Sequence, residues 1–314
     1  MQRGGPTGDE YWRTRAGAAV KGVLAGPADE PGIAPLAEAA STQAASPEAP
    51  VRLARLAPSP DLTGIVRHFW VPRWRLPEGV VIEQGILEYP SANLVVEPRT
   101  AALYGPERGR GVQRLEGAGW AVGALLQPGV AHLLMPRPMH ALVGSSVPVE
   151  QLRVHDPDRL GAPVRAAAEA GDDAAAAAAF EAWLRGQRVE LDDQAVLLQR
   201  IVELAETDRT IVRADELAAE AGLSLRGLER LVHARLGLTP KWLIGRYRMQ
   251  EAAHRLAGAE APPLADLAAE LGFADQAHFS RQFRAVIGQT PRAYARAAAS
   301  RADAASVIDP TGVG

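Results

Sequence analysis

Leu217-Ala218-Ala219-Glu220-Ala221-Gly222-Leu223 returns fifty residues later as Leu267-Ala268-Ala269-Glu270-Leu271-Gly272-Phe273. After one inserted residue the match resumes. Leu228 aligns with Phe279, Arg230 with Arg281, Ala234 with Ala285, Gly237 with Gly288, and Thr239-Pro240 with Thr290-Pro291. Self-similarity at a fixed period marks one supersecondary unit used twice. Each copy has the mechanics of a helix-turn-helix. A short helix ends at Gly222 or Gly272, where a left-handed backbone costs least. Ala218 and Ala268 let two helices approach closely, and Leu223 and Phe273 plug the turn into the core. Asp215 and Asp266 read as caps of the first helix, and Ser224 and Asp275 as N-caps of the second. In the second helix Leu228, Leu231, Val232 and Leu236 face inward in one copy; Phe279, Phe283, Val286 and Ile287 do so in the other.

The opposite faces are polar. Copy one offers Arg226, Glu229, Arg230 and His233; copy two offers Gln276, Ala277, His278, Ser280, Arg281 and Arg284. Arg pairs bidentately with guanine, Gln with adenine, and a carboxylate accepts from cytosine. Pro240–Ala257 between the units reads as one stiff helix of about 18 residues, roughly 27 Å long. That is shorter than the ~34 Å turn of B-DNA. Two units so joined would enter successive major-groove segments, preferably of bent DNA, at a cost of a few kcal/mol. Residues 207–300 hold 13 Lys/Arg and 10 Asp/Glu, a local +3 inside a chain of net −3. The carboxyl-terminal part is therefore the modestly basic end of an acidic protein, as backbone contact requires. Other readings stand beside these. Arg230 and Arg281 could form a salt bridge within each unit, Glu229 could be a solvated carboxylate, and His278 could touch phosphate or cap a helix. Trp242 and Tyr247 read as core of the joining helix.

Asp215–Tyr294 resembles the DNA-binding domain of the AraC/XylS family of transcription regulators. The second copy carries the likeness: Leu267-Ala268-Ala269-Glu270-Leu271-Gly272-Phe273-Ala274-Asp275-Gln276-Ala277-His278-Phe279-Ser280-Arg281-Gln282-Phe283-Arg284, then Gly288-Gln289-Thr290-Pro291-Arg292-Ala293-Tyr294. The resemblance covers about 80 residues, roughly a quarter of the chain. It implies base-facing positions at Arg226, Glu229 and Arg230, and at Gln276, Ala277, Ser280 and Arg281. It also implies double-stranded promoter DNA and RNA polymerase as partners. Gly227 departs from the pattern, since a glycine inside a helix costs about 1 kcal/mol relative to Ala. His68-Phe69-Trp70, Tyr89-Pro90-Ser91-Ala92-Asn93-Leu94-Val95-Val96 and Leu103-Tyr104-Gly105-Pro106 resemble an uncharacterised β domain often fused to such units. That likeness implies a sensor of a small-molecule effector, or a homodimerisation module.

The remaining sequence bounds these readings. At 314 residues, about two domains are expected, and 47% apolar residues suffice for a core in each. There is no cysteine, which excludes disulfides, thiolate metal sites and a cysteine nucleophile. Among proteins carrying such DNA-binding units, the alkyl-transfer repair proteins are excluded with it. No run of about 18 apolar residues marks a membrane span, and no signal peptide opens the chain; the expectation is a cytoplasmic protein without a membrane partner. The fold class predicted is multidomain α and β: a small β-barrel or sandwich-like domain, then an all-α domain with two helix-turn-helix units and a linker helix. Residues 1–57 are read as a disordered leader, 58–147 as the β domain, 148–207 as a helical connector, 208–297 as the DNA-binding domain, and 298–314 as a disordered tail. Strands are predicted at Gly64–Trp74, Val80–Tyr89, Asn93–Glu97, Ala101–Tyr104, Gly111–Leu115, Trp120–Leu126 and His140–Val143, and helices at Pro163–Arg185 and Leu191–Thr207. Trp70, Trp74, Tyr89, Tyr104 and Trp120 suit either a ligand pocket or plain core. His68, His132, His140, Glu83 and Glu88 invite a metal-dependent barrel enzyme, but no His-x-His spacing supports it. No phosphate loop, nucleophile elbow or zinc-protease motif occurs. No catalytic residue, metal ligand or cofactor is assigned.

Overall fold

Alternating apolar residues build the sheet. In β2 (Val66–Arg75) Phe69 and Val71 are fully buried on one face, while Trp70 and Trp74 stand on the other. The computed structural model describes residues 51–86, 89–109, 111–258 and 261–307. β1 (Val51–Leu56) lies antiparallel to β2, from Val51 opposite Trp74 to Leu56 opposite Phe69. β3 (Val81–Ile86) and β6 (Gly111–Glu116) form a separate ribbon. β4 (Asn93–Val96), β5 (Ala101–Tyr104), β8 (Val122–Leu126) and β9 (Ser146–Pro148) complete a sheet of order β1-β2-β8-β4-β5-β9, with β7 (Ala118–Trp120) also on β2. The path has two ends, so among the described residues the sheet is open and not the closed barrel that was one of the expectations.

Helices cover one face of this sheet. α1 (Val130–Leu134), α2 (Asp158–Glu169) and α3 (Asp173–Gln187) bury Leu160, Val164, Phe180 and Leu184 against Phe69, Leu94, Leu103 and Leu126. Each such side chain contributes roughly 1.5–3 kcal/mol by leaving water. On the other face the β3–β6 ribbon packs Ile82 and Leu115 beside Trp70 and Trp74. Both indoles need glycine beneath them. A Cβ on Gly123 would stand 2.1 Å from the Trp70 ring, and one on Gly119 would stand 2.3 Å from Trp74. Trp70 Nε1–H donates to Asn93 Oδ1 at 2.9 Å. Both tryptophans are thus structural.

The boundaries differ from expectation in five places. Val51–Leu56, assigned to the leader, is a paired strand because Val51 and Leu53 alternate inward; residues 1–50 lie outside the described residues. The strand expected at His140–Val143 is instead a 3-10 turn, Met139–Ala141. Pro138 precedes it, lacking an N–H for a ladder, and the chain turns again beyond its C-cap Leu142 at Gly144, φ +66°. The single helix expected over Pro163–Arg185 is two helices, broken at Gly171 (φ +81°) and restarted by Asp172, whose carboxylate accepts from the Ala175 N–H. The connector 148–207 divides between cores: α2 and α3 belong to the sheet, whereas α4 (Asp193–Thr207) packs with the first helix-turn-helix. The carboxyl-terminal helix α10 (Pro291–Val307) runs into the expected tail; residues 308–314 lie outside the described residues.

Two stability tests follow from this packing. Gly123→Ala should expel the Trp70 ring and destabilise the protein by about 1–3 kcal/mol, read as a lower urea midpoint; an unchanged midpoint would show that the indole moves freely. His68, between the two cations Arg55 and Arg67, is held neutral by burial and then by those charges, its pKa pushed down to about 3. The unfolded chain takes up that proton below about 6.5. Stability should therefore fall as pH drops from about 6.5 toward 3, and His68→Gln should flatten that slope in denaturation at several pH values.

Candidate nucleic-acid interface

The first unit comprises α5 (Ala214–Glu220) and α6 (Leu225–Leu236); the second, α8 (Leu264–Glu270) and α9 (Gln276–Ile287). Helix α7 (Pro240–Leu256) joins them over 17 residues, roughly 25 Å. The turn glycines Gly222 and Gly272 both sit at φ +67°. Ser224 Oγ accepts from the Gly227 N–H at 3.1 Å, and the Asp275 carboxylate accepts from the His278 N–H at 2.6 Å. Both second helices therefore start where the sequence placed them, and both end on left-handed Gly237 and Gly288. The first helices start differently. Glu216, not Asp215, caps α5, accepting from the Val212 and Arg213 N–H groups at 2.9 Å each. Asp215 instead pairs with Arg213, whose hydrogen bond holds its carboxyl below the usual range. Asp266 lies in the first turn of α8, which starts after Pro263. There a carboxylate meets the positive end of the helix dipole without closing a cap.

The polar faces emerge as a stripe on each second helix. Arg226, Glu229 and Arg230 are exposed on α6, as are Gln276, Ala277 and Arg281 on α9; Ser280 and His278 are half-buried. Opposite them Leu228, Val232 and Leu236, and Phe279, Phe283 and Ile287, are buried. Among the described residues, Arg226, Glu229, Arg230, Gln276 and Arg281 make no side-chain hydrogen bond or ion pair, so the internal salt bridge weighed for Arg230 and Arg281 does not form. The His278 ring lies edge-on to Phe273, centroids 5.4 Å apart, beside the turn. Phe273 also receives the Arg248 guanidinium at 3.9 Å, which ties the joining helix to the second unit.

His233 is exposed on the polar face, as the sequence places it, and there stacks on His140 of the β domain, ring centroids 5.9 Å apart and planes within 6°. Arg235 is buried and pairs with Asp192 at 2.8 Å and with Gln194. Around Glu206 of α4, the Arg67 guanidinium and the Tyr89 hydroxyl both donate to the carboxylate, and Tyr89 meets Tyr247 edge-on. Burial, then the Glu206 charge for Tyr89 and the neighbouring phenol for Tyr247, pushes both hydroxyls well above their usual range. Trp242 is half-buried, not purely core, and its indole N–H donates to the Arg108 carbonyl at 3.1 Å. The metal reading gathers no site, since no cluster of three His, Asp or Glu occurs among the described residues. His68 is enclosed in the sheet, His140 is stacked, Glu83 is exposed and Glu88 lies outside the described residues. Nor is any described helix long and apolar enough to cross a membrane.

Comparison with known proteins adds sequence to this geometry. Residues 217–297 match the profile of a helix-turn-helix domain, and residues 54–148 match a domain of unknown function, DUF6597. The HTH-type transcriptional activator RhaS of Escherichia coli (strain SE11) is 40% identical over 81 residues, 26% of this chain and 29% of RhaS. Residues 217–297 are a helix-turn-helix domain of the AraC type. The chain thus spans less than a third of the length of the curated relatives it matches. Among solved structures, a transcriptional regulator with an AraC-type DNA-binding domain from Chromobacterium violaceum is 28% identical, covering 33% of this chain and 93% of that one at a TM-score of 0.31. ToxT from Vibrio cholerae O395 is 13% identical, covering 84% and 98%, at a TM-score of 0.36. Within the AraC-type domain, the caps are the cheapest point of attack. Asp275→Ala should cost about 1 kcal/mol by orphaning the first N–H groups of α9. Denaturant unfolding checks this, with Asp275→Asn, which keeps the acceptor, remaining near wild type.

Proposed function

We propose that the chain is a sequence-specific DNA-binding transcription regulator whose α6 and α9 enter successive major-groove segments. The observation that carries this reading is the pair of exposed, unpaired polar stripes, one on the second helix of each unit, joined by the single helix α7. Arg226, Glu229 and Arg230 read bases from the first unit; Gln276, Ala277, Ser280 and Arg281 do so from the second. His278, packed beside the turn, lies next to the phosphate backbone. RNA polymerase is the protein partner in this reading, which RhaS supports by being a transcriptional activator. The β domain supplies control, through a small-molecule effector or a second copy of the chain.

Selection of bound fragments from random duplexes supplies the site. Arg281→Ala should then weaken binding to that site about 10- to 100-fold, the discrimination of one bidentate base contact. Binding to random DNA should fall far less. Equal loss on both would show that Arg281 only holds phosphate, and a wild-type protein without any duplex preference would end the proposal.

A further inference from the structure

The two copies of the repeat diverge where the first meets the β domain. With the fifty-one-residue offset that aligns Thr239 with Thr290, Trp242 corresponds to Ala293 and Arg246 to Ala297. Leu231 corresponds to Gln282 and Leu238 to Gln289. In the first copy Leu231 and Leu238 are buried in a core that also contains Tyr89 and Leu125 of the β domain. In the second copy Gln282 is exposed, and the core holding Phe279 and Phe283 draws only on α7 to α10. The unit without a β-domain neighbour carries glutamine and alanine where its twin carries leucine, tryptophan and arginine.

Arg246 shows what those residues do. Arg246 is 2% exposed, and its guanidinium donates to the carbonyl oxygens of Glu107 at 3.0 Å, Gly109 at 3.1 Å and Arg108 at 3.4 Å. It also lies 4.7 Å over the Trp242 ring. The loop that offers these carbonyls is itself held. The Gly105 N–H donates to Ser145 O at 3.0 Å, and the Gly144 N–H to Pro106 O at 3.1 Å. A Cβ on Gly105 would stand 2.0 Å from the Leu142 oxygen, so only glycine lets the two segments pass. All three carbonyls converge on one nitrogen, Nη2, whose two hydrogens they share, and arginine's longer side chain carries that nitrogen farther than lysine carries its ammonium. The support extends to the reading helix. Its terminal Gly237, at φ +71°, abuts the Met139–His140 backbone so closely that a Cβ would stand 2.7 Å away. Helix α6 also carries Gly227, which weakens it from within.

We propose that the loop 105–109 is a docking site for the joining helix α7 and that Arg246 is a positioning residue. By seating α7 in the carbonyl cradle it keeps α6 rigid, so that the β domain completes the first reading unit while the second stands on its own core. This assigns a structural task to the segment that matches a domain of unknown function. It rests on the proposed reading of bases by Arg226, Glu229 and Arg230.

Full-length wild type, Arg246→Ala and Arg246→Lys are compared by amide hydrogen exchange. They are also compared in binding to the selected duplex and to duplexes with either half scrambled. Arg246→Ala should lose at least about tenfold protection across 225–247 and leave 264–287 unchanged. Its discrimination against a scrambled first half should collapse toward unity while that against the second half survives, and Lys should restore only part. Trp242→Phe, which keeps an aromatic ring and removes the N–H to Arg108, should shift the same readouts less, and it decides the matter if Arg246→Ala does not fold. Retention of wild-type protection and discrimination, or equal loss in both halves, overturns the proposal. If the wild type prefers no duplex, the DNA reading has failed, and the exchange data alone judge the cradle.

Discussion

Helix α7 belongs to two cores at once, and the arrangement of the carboxyl-terminal half depends on it. Its first turns bury Leu243, Ile244 and Tyr247 with α4, α5 and α6. Its last turns bury Met249, Ala252, Ala253 and Leu256 with α8, α9 and α10. A helix rises about 1.5 Å per residue and resists bending, so a helix packed at both ends fixes the separation of whatever it joins. The apolar side chains that stabilise each unit are therefore the same ones that set the distance between the two polar stripes.

The stripes remain free because the caps and cores use other residues. Ser224 and Asp275 satisfy the helix starts, and the phenylalanines and leucines on the reverse satisfy the hydrophobic effect. Among the described residues nothing claims the exposed guanidiniums of Arg226, Arg230 and Arg281. An unpaired arginine on a rigid helix costs little in water and gains a directional partner only when a planar acceptor pair is brought to it. That division of labour within twelve residues of helix makes each unit suited to reading another molecule.

The β domain makes a different use of small residues. Gly123 and Gly119 provide flat ground for Trp70 and Trp74, and Gly105 and Gly237 let backbone pass against backbone. Trp70 and Trp74, two of the aromatic residues that suited either a ligand pocket or plain core, are thereby packed onto their own sheet. The result is an open sheet covered by helices on one face and by a ribbon on the other. The first helix-turn-helix unit and the helices packed on it lean against it through Arg246 of α7, Glu206 of α4 and the stacked pair His140 and His233.

The twin units, their caps at Ser224 and Asp275, the glycine turns and the polar stripes were all legible in the sequence, because short-range periodicity and capping are local and a repeat displays them twice. Strand positions were largely legible too, from alternation alone. Strand order, the open edges and the division of 148–207 between two cores were not, since hydrogen bonding between strands distant in sequence leaves no local mark. The first helix of the first unit was misread at its cap, because Asp215 and Glu216 are both plausible acceptors and only the backbone path through Val212 and Arg213 chooses between them. His233 was legible as an outward residue because its spacing matches Arg226 and Arg230; its stacking on His140, ninety-three residues earlier, was decided by tertiary structure. The destination of Arg246 was likewise decided by tertiary structure alone, for backbone carbonyls accept hydrogen bonds at every residue and carry no signature in the side chains that surround them.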